Sequence, residues 1–199
     1  MSGYVAGGSS ERLVRREGSG RALWGMAMFV ASEATLFGTF VGTYFYLRFK
    51  APHWPPLGTP KPEVAIPLIL TAVLTASVVP VVLAAFSARA DRLWRTRLLL
   101  LVGLVVQAGY FAYEIHDLRD QLRTFTPQDN AYGSIYYVLL GADHAHVFLG
   151  LLLSVWLLAK LATGMTSYRR NAAQAVAFYW LAVVVITWVV VGTLTSAAV

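Results

Sequence analysis

The 199-residue sequence contains no cysteine. Disulfides, iron–sulfur clusters and thiolate metal sites are thereby excluded, and the redox compartment stays open. Charge is nearly as scarce. Asp, Glu, Lys and Arg make up 13% of the chain, about half of the ~25% usual in a soluble domain. An ordinary water-facing surface cannot be built from that. The chain also lacks any internal repeat, P-loop, nucleotide fingerprint, catalytic triad or nucleic-acid module. Residues 1–21 are polar and glycine-rich, without the apolar core and small-residue cleavage site of a signal peptide, so the first apolar span is expected to serve as the insertion signal.

What remains is apolar. Hydrophobic residues account for 57%, and the mean hydropathy is +0.60. Behind a polar tail at 1–21, expected to be mobile, nearly uncharged stretches predict spans at about 22–47, 64–88, 93–115, 133–160 and 172–197. Each approaches the ~20 residues that cross a ~30 Å hydrocarbon core. The expected fold is therefore all-α: a polytopic membrane protein, one domain at 22–199, bundling five transmembrane helices. The net charge of +6 does not point to nucleic acid, because the basic residues lie between the spans and form no surface of their own. Eleven of them fall in the tail and the 89–97 and 160–170 segments, against five on the opposite side. The positive-inside rule then puts the N-terminus in the cytoplasm and the C-terminus outside.

Ala22–Leu47 organises the rest. Its one charged side chain, Glu33, falls near mid-depth, where a carboxyl is costly unless neutral, paired or facing protein. Glu33 shares a helical stripe with Met26, Phe29, Phe37, Phe40 and Tyr44. Ala31, Thr35, Gly38 and Gly42 form nearly the opposite one, and the Gly38-x-x-x-Gly42 spacing admits close approach of another helix. Glu33 reads either as a protonated acid hydrogen-bonded within a bundle or as a proton- or lipid-handling group.

The later spans add fewer signals. Pro67 lies in a first turn, where proline is tolerated, and Pro80 predicts a kink without a function. The loop His53-Trp54-Pro55-Pro56 suits the membrane interface. The third span ends in aromatics and Glu114, with its acids read as solvated. The fourth carries Asp143, His144 and His146 near mid-depth. The two histidines are two apart, about 200° around a helix, so they do not converge on one metal. A bound haem would need a histidine on a facing span, and no other span has one. Asp143 and His146 are three apart and read as a buried hydrogen-bonded pair or as part of a proton relay. The fifth span, with Phe178-Tyr179-Trp180, reads as a packing and lipid-facing helix.

These residues resemble a known family. Ser32-Glu33, Phe37, Tyr44-Phe45, Arg48 and Trp54-Pro55-Pro56 are similar, at matching spacing, to subunit III of haem–copper oxidases. So are Ala112-Tyr113-Glu114 and the block from Ala131-Tyr132-Gly133-Ser134 through Gly141 to His146-Val147 and Gly150. Ser-Glu in place of Ser-Asp leans toward the cytochrome c oxidase branch. The family's long form has seven spans, and this chain looks like the short bacterial form. It departs at Asp143, where the family has histidine, at His144, a glycine position, and at Leu181 and Val184, where His and Asp would follow Tyr179-Trp180. Glu33 is then expected in a buried hydrogen-bonded cluster linking spans one and four, with Asp143 or His146 as its partner; with Asp143 standing in for the missing histidine, the two carboxyls would share a proton.

The resemblance implies an accessory subunit with no redox centre of its own, haem and copper being held by partner subunits. The implied partners are the catalytic subunit I, subunit II and other small subunits, together with bound phospholipid, in a bacterial or archaeal inner membrane. Turnover (cytochrome c oxidised, O₂ reduced, protons pumped) would belong to the complex. The candidate polar cluster is Glu33, Asp143, His146 and Ser32. Gly38, Gly42, Tyr44, Arg48, Trp54, Glu114 and Trp180 are candidates for subunit or lipid interfaces. A quinol oxidase, a nitric-oxide-reductase-associated paralogue and a stand-alone proton or ion carrier are the competing readings.

Overall fold

The computed structural model describes the backbone of residues 7–198 and the side chains of residues 24–198. Among the described residues the chain is all helical: α1 (Gly7–Lys50), α2 (Ala65–Arg89), α3 (Leu93–Gln121), α4 (Ala131–Leu161) and α5 (Ser167–Thr195), closed by a 3-10 turn at Ser196–Ala198. All five α-helices are long and apolar enough to cross a membrane. The polar tail read at 1–21 lies partly outside the described residues. From Gly7 onward it is helical and continuous with the first span.

Local chemistry sets several of the boundaries. Asn130 caps α4, its Oδ1 accepting from the Gly133 N–H at 2.8 Å, and Thr166 caps α5 by accepting from the Arg169 N–H at 3.3 Å. Both satisfy an amide that the first helical turn leaves orphaned. Between α2 and α3, Asp91 adopts a left-handed φ of 60° and so turns the chain sharply. The two helices then cross at Gly103, where an added Cβ would lie 2.6 Å from Val81 Cγ2. Only a residue without a side chain fits there.

Helices α2, α3, α4 and α5 close a ring in that order, and α1 packs across α4 and α5. Leu74, Val78, Leu100, Val147, Leu157 and Val183 fill the half nearer the α2–α3 turn. Phe37, Tyr44, Tyr132, Leu139, Ile186 and Val190 join α1 to α4 and α5 in the other half. The fifth span packs and also faces outward, as expected, with Leu181, Val185 and Val189 exposed, but it is the most central of the five helices. Half of its most apolar window is buried, against 6% for α1, because α5 touches α1, α2 and α4 together.

On α1 the acid and aromatic stripe faces the bundle, with Phe37 and Tyr44 buried. The opposite stripe is open. A Cβ added at Gly38 or Gly42 would meet nothing within 4 Å, so among the described residues no helix packs on that surface.

Candidate functional site

Three polar side chains within one turn of α4 each reach a different helix. His146 faces α1, where its Nε2 lies 2.8 Å from Glu33 Oε2. His144 faces α3, its Nε2 3.4 Å from Glu114 Oε2. Asp143 faces α5, where its Oδ1 accepts a hydrogen bond from the Thr187 hydroxyl at 2.8 Å. The 200° between residues two apart on a helix sends the histidines to opposite neighbours.

The backbone fixes the tautomers. His146 Nδ1 lies 2.7 Å from the Ala142 carbonyl, and His144 Nδ1 lies 2.6 Å from the Leu140 carbonyl. A carbonyl oxygen only accepts, so each Nδ1 carries a hydrogen and each Nε2 is left to face its acid. One proton then serves Glu33 and His146 jointly. On Nε2 it makes an ion pair, on Oε2 a neutral hydrogen bond, and the unit is electrically neutral either way. Paired neutrality is how a membrane interior tolerates such groups. Tyr179 adds a tie from α5, its hydroxyl donating to the His146 carbonyl at 2.8 Å, and Phe37 sets its ring edge-on to the imidazole.

The second pair is looser. At 3.4 Å with unfavourable angles, His144 Nε2 makes no hydrogen bond to Glu114, yet the two side chains are only 7% and 14% exposed. Glu114 is therefore not the solvated acid expected at a span end. Helix α3 continues to Gln121 and keeps it inside.

Several expectations are corrected here. Asp143 does not pair with Glu33. His146 takes that place, since Asp143 is short and points at α5. The Asp143–His146 hydrogen bond is likewise absent among the described residues, because each group is directed to a different helix. Ser32 stays out of the cluster, its hydroxyl donating to the Phe29 carbonyl on the outer side of α1. Of the interface candidates, Gly38 and Gly42 do lie on an open face. Tyr44 is fully buried, and Trp54 packs between Tyr44 and Tyr132. Arg48 donates to Ser196 Oγ at 2.8 Å, tying α1 to the C-terminal turn. Trp180 is buried against Gly150, with its indole N–H donating to Ser154. Thr187, Tyr179 and Ser154 escaped sequence reasoning, as hydroxyls in apolar spans carry little signal. Glu114 had one: Gly103, Gln107, Tyr110, Glu114, Asp117 and Gln121 alternate at spacings of four and three, a single face of α3.

Among the described residues no group of three histidine or acidic side chains converges as a metal site. The geometry suits holding helices together and holding protons. Against known proteins, the family model for cytochrome c oxidase subunit III matches residues 15–193. The chain belongs to the cytochrome c oxidase subunit III family. Cytochrome c oxidase subunit 3 of Myxine glutinosa is 32% identical over 164 residues, 79% of this chain and 62% of that protein. The Pan troglodytes subunit 3 is 31% identical over 165 residues, with the same coverage of each. The heme-copper oxidase subunit I+III of Aeropyrum pernix is 32% identical over 180 residues, covering 85% of this chain and 21% of that one. The chain thus spans about three fifths of the length of the first two relatives.

Proposed function

We propose that the chain is the accessory, cofactor-free subunit III of a respiratory haem–copper terminal oxidase that oxidises cytochrome c and reduces O₂. In this reading it braces the catalytic subunit, binds phospholipid and supports proton uptake by the complex. The observation that carries the reading is the pair of hydrogen bonds that tie the polar turn of α4 to α1 through Glu33 and to α5 through Thr187. A membrane bundle cross-tied in this way holds a fixed shape against a partner. The fused Aeropyrum protein, named as subunit I+III, favours the haem-bearing catalytic chain as that partner, with subunit II and smaller subunits beyond it. The open Gly38–Gly42 stripe is the surface on which a partner helix would pack most closely. The membrane is a bacterial or archaeal cell membrane, with the more basic face inside.

The test is purification of the tagged full chain in mild detergent, followed by a visible spectrum and identification of co-purified chains. Haem and a large catalytic subunit are expected. A colourless homo-oligomer would overturn the proposal in favour of a carrier. Co-purification with a catalytic chain that lacks a copper-bearing cytochrome c docking subunit would move it to a quinol or nitric-oxide enzyme.

A further inference from the structure

A cavity enters the ring of α2–α5 from the face that carries the 51–64 and 122–130 loops and the C-terminus. Its wall runs from Glu63, Gln121 and Thr195 at the helix ends to Leu70, Tyr110 and Asp143 deeper in. About 60 Å³ of it is open to the centres of water molecules, several times the ~10–15 Å³ that one water requires.

The wall is polar where lipid-facing helices are not. At the rim, Tyr136 donates to Gln121 at 2.8 Å and Gln121 to Asp117 at 2.5 Å. Deeper, Glu114 and Asp143 face the same space from α3 and α4. Tyr110 is 6% exposed, lines the cavity and makes no hydrogen bond to a described residue. One turn further along α3, Gln107 is fully buried with both amide atoms unpaired. Buried polar groups find partners in native structures, and where protein supplies none, ordered water does. Tyr110, on the cavity wall, is therefore a hydration marker independent of the carboxyls, and Gln107 lies one turn beyond the lining. The described residues offer no three-ligand convergence, so the ligand that fits is water carrying a proton and not a divalent cation.

Beyond Asp143 and Gln107 the ring closes on Leu74, Val78, Leu100, Val147 and Val183. On that side Ser77 donates to the Leu74 carbonyl, Thr96 donates to the Arg92 carbonyl and Ser154 accepts from Trp180. Among the described residues the polar lining of the cavity stops at Asp143.

We propose that this cavity is a blind, water-filled vestibule through which Glu114 and Asp143 exchange protons with the outer aqueous phase, and with that phase alone. In each exchange a hydronium in the vestibule passes its proton to a carboxylate oxygen and leaves as water. The groups facing the two acids are Tyr110 and Asp117 from α3, His144 and Tyr136 from α4 and Thr187 from α5, with Glu63 at the mouth before α2. The Glu33–His146 unit lies on the α1 side of α4. Outer access belongs to this chain, so it is testable whether or not the chain docks on a haem-bearing subunit.

Because the chain has no cysteine, the full-length protein in oriented membrane vesicles can report on access one thiol at a time. Leu140→Cys, on the cavity wall, is expected to react with a small membrane-impermeant thiosulfonate from the outer face. Val138→Cys, facing outward from the bundle, and Val147→Cys, below the cavity floor, are expected to react at least about tenfold more slowly, since apolar surroundings suppress the thiolate. An infrared titration of the unsubstituted chain in the same vesicles is expected to show protonated-carboxyl bands that follow outer pH and ignore inner pH. Glu114→Gln and Asp143→Asn serve only to assign those bands. Labelling of Leu140→Cys from both faces, from the inner face or from neither would overturn the proposal, as would carboxyl bands that track inner pH or do not move.

Discussion

At the scale of single residues, Glu33 and His146 behave as one unit, so removing either leaves the other desolvated and unpaired. Glu33→Leu is expected to lower stability in detergent by about 1–3 kcal/mol, the cost of a stranded buried polar group, as read from the thermal midpoint. Glu33→Gln should cost far less, because its amide N–H can donate to His146 Nε2. A double-mutant cycle with His146→Ala should return a coupling of roughly 0.5–3 kcal/mol. Additive effects would mean the 2.8 Å contact carries no energy. In an assembled oxidase, Glu33→Gln should also speed loss of activity over repeated turnovers, measured as the decay of oxygen consumption. Gly150 offers a separate test. A Cβ there would meet Trp180 Cζ2 at 2.7 Å, inside a closed core, so Gly150→Ala should cost about 1–3 kcal/mol by overpacking. Glu33 was legible in the sequence because one charge in an apolar run has few explanations. Its partner was narrowed to Asp143 or His146 on the fourth span but not chosen between them, because spacing does not say which of two neighbours on a helix turns toward the span opposite. Trp180, offered as an interface candidate, sits instead in the middle of α5 and is buried against Gly150, which only the packed neighbour reveals.

At the scale of elements, caps and small residues decide. Asn130 starts α4 and therefore sets the height of its polar turn. Asn130→Ala is expected to cost about 1 kcal/mol, and hydrogen exchange should show the first turn of α4 opening while the Asp143–His146 region stays protected. The lengths of the helices were largely legible, since apolar runs between charges report the bilayer directly. Their ends were less so. Helix α3 runs on to Gln121 and α5 starts at Ser167, both through polar residues that hydropathy assigns to loops. The central position of α5 was hidden as well, because lipid and protein interior are equally apolar and leave the same composition behind.

At the scale of the whole molecule, the bundle has one side finished and one side open. The open stripe on α1 makes a prediction that separates folding from assembly. Gly38→Leu and Gly42→Leu, each with free space around the added side chain, should leave the thermal midpoint of the isolated chain within about 0.5 kcal/mol of the parent. The same changes should sharply reduce co-purified haem, measured against the tagged chain. Retained haem would place the partner on another face. Five membrane-crossing helices and the family were both within reach of the sequence, whereas the choice of partner that each buried group addresses was not.

The polar turn of α4 has a mechanical consequence. Its two hydrogen bonds point in different directions, to α1 and to α5, so twisting the helix about its long axis cannot relieve one without straining the other. Helix α2 remains outside these contacts, held instead by its close packing on α3 and α5, and α4 is the bundle's fixed axle. A disturbance delivered to the chain would therefore travel as a tilt of the whole body, with no internal gear to turn.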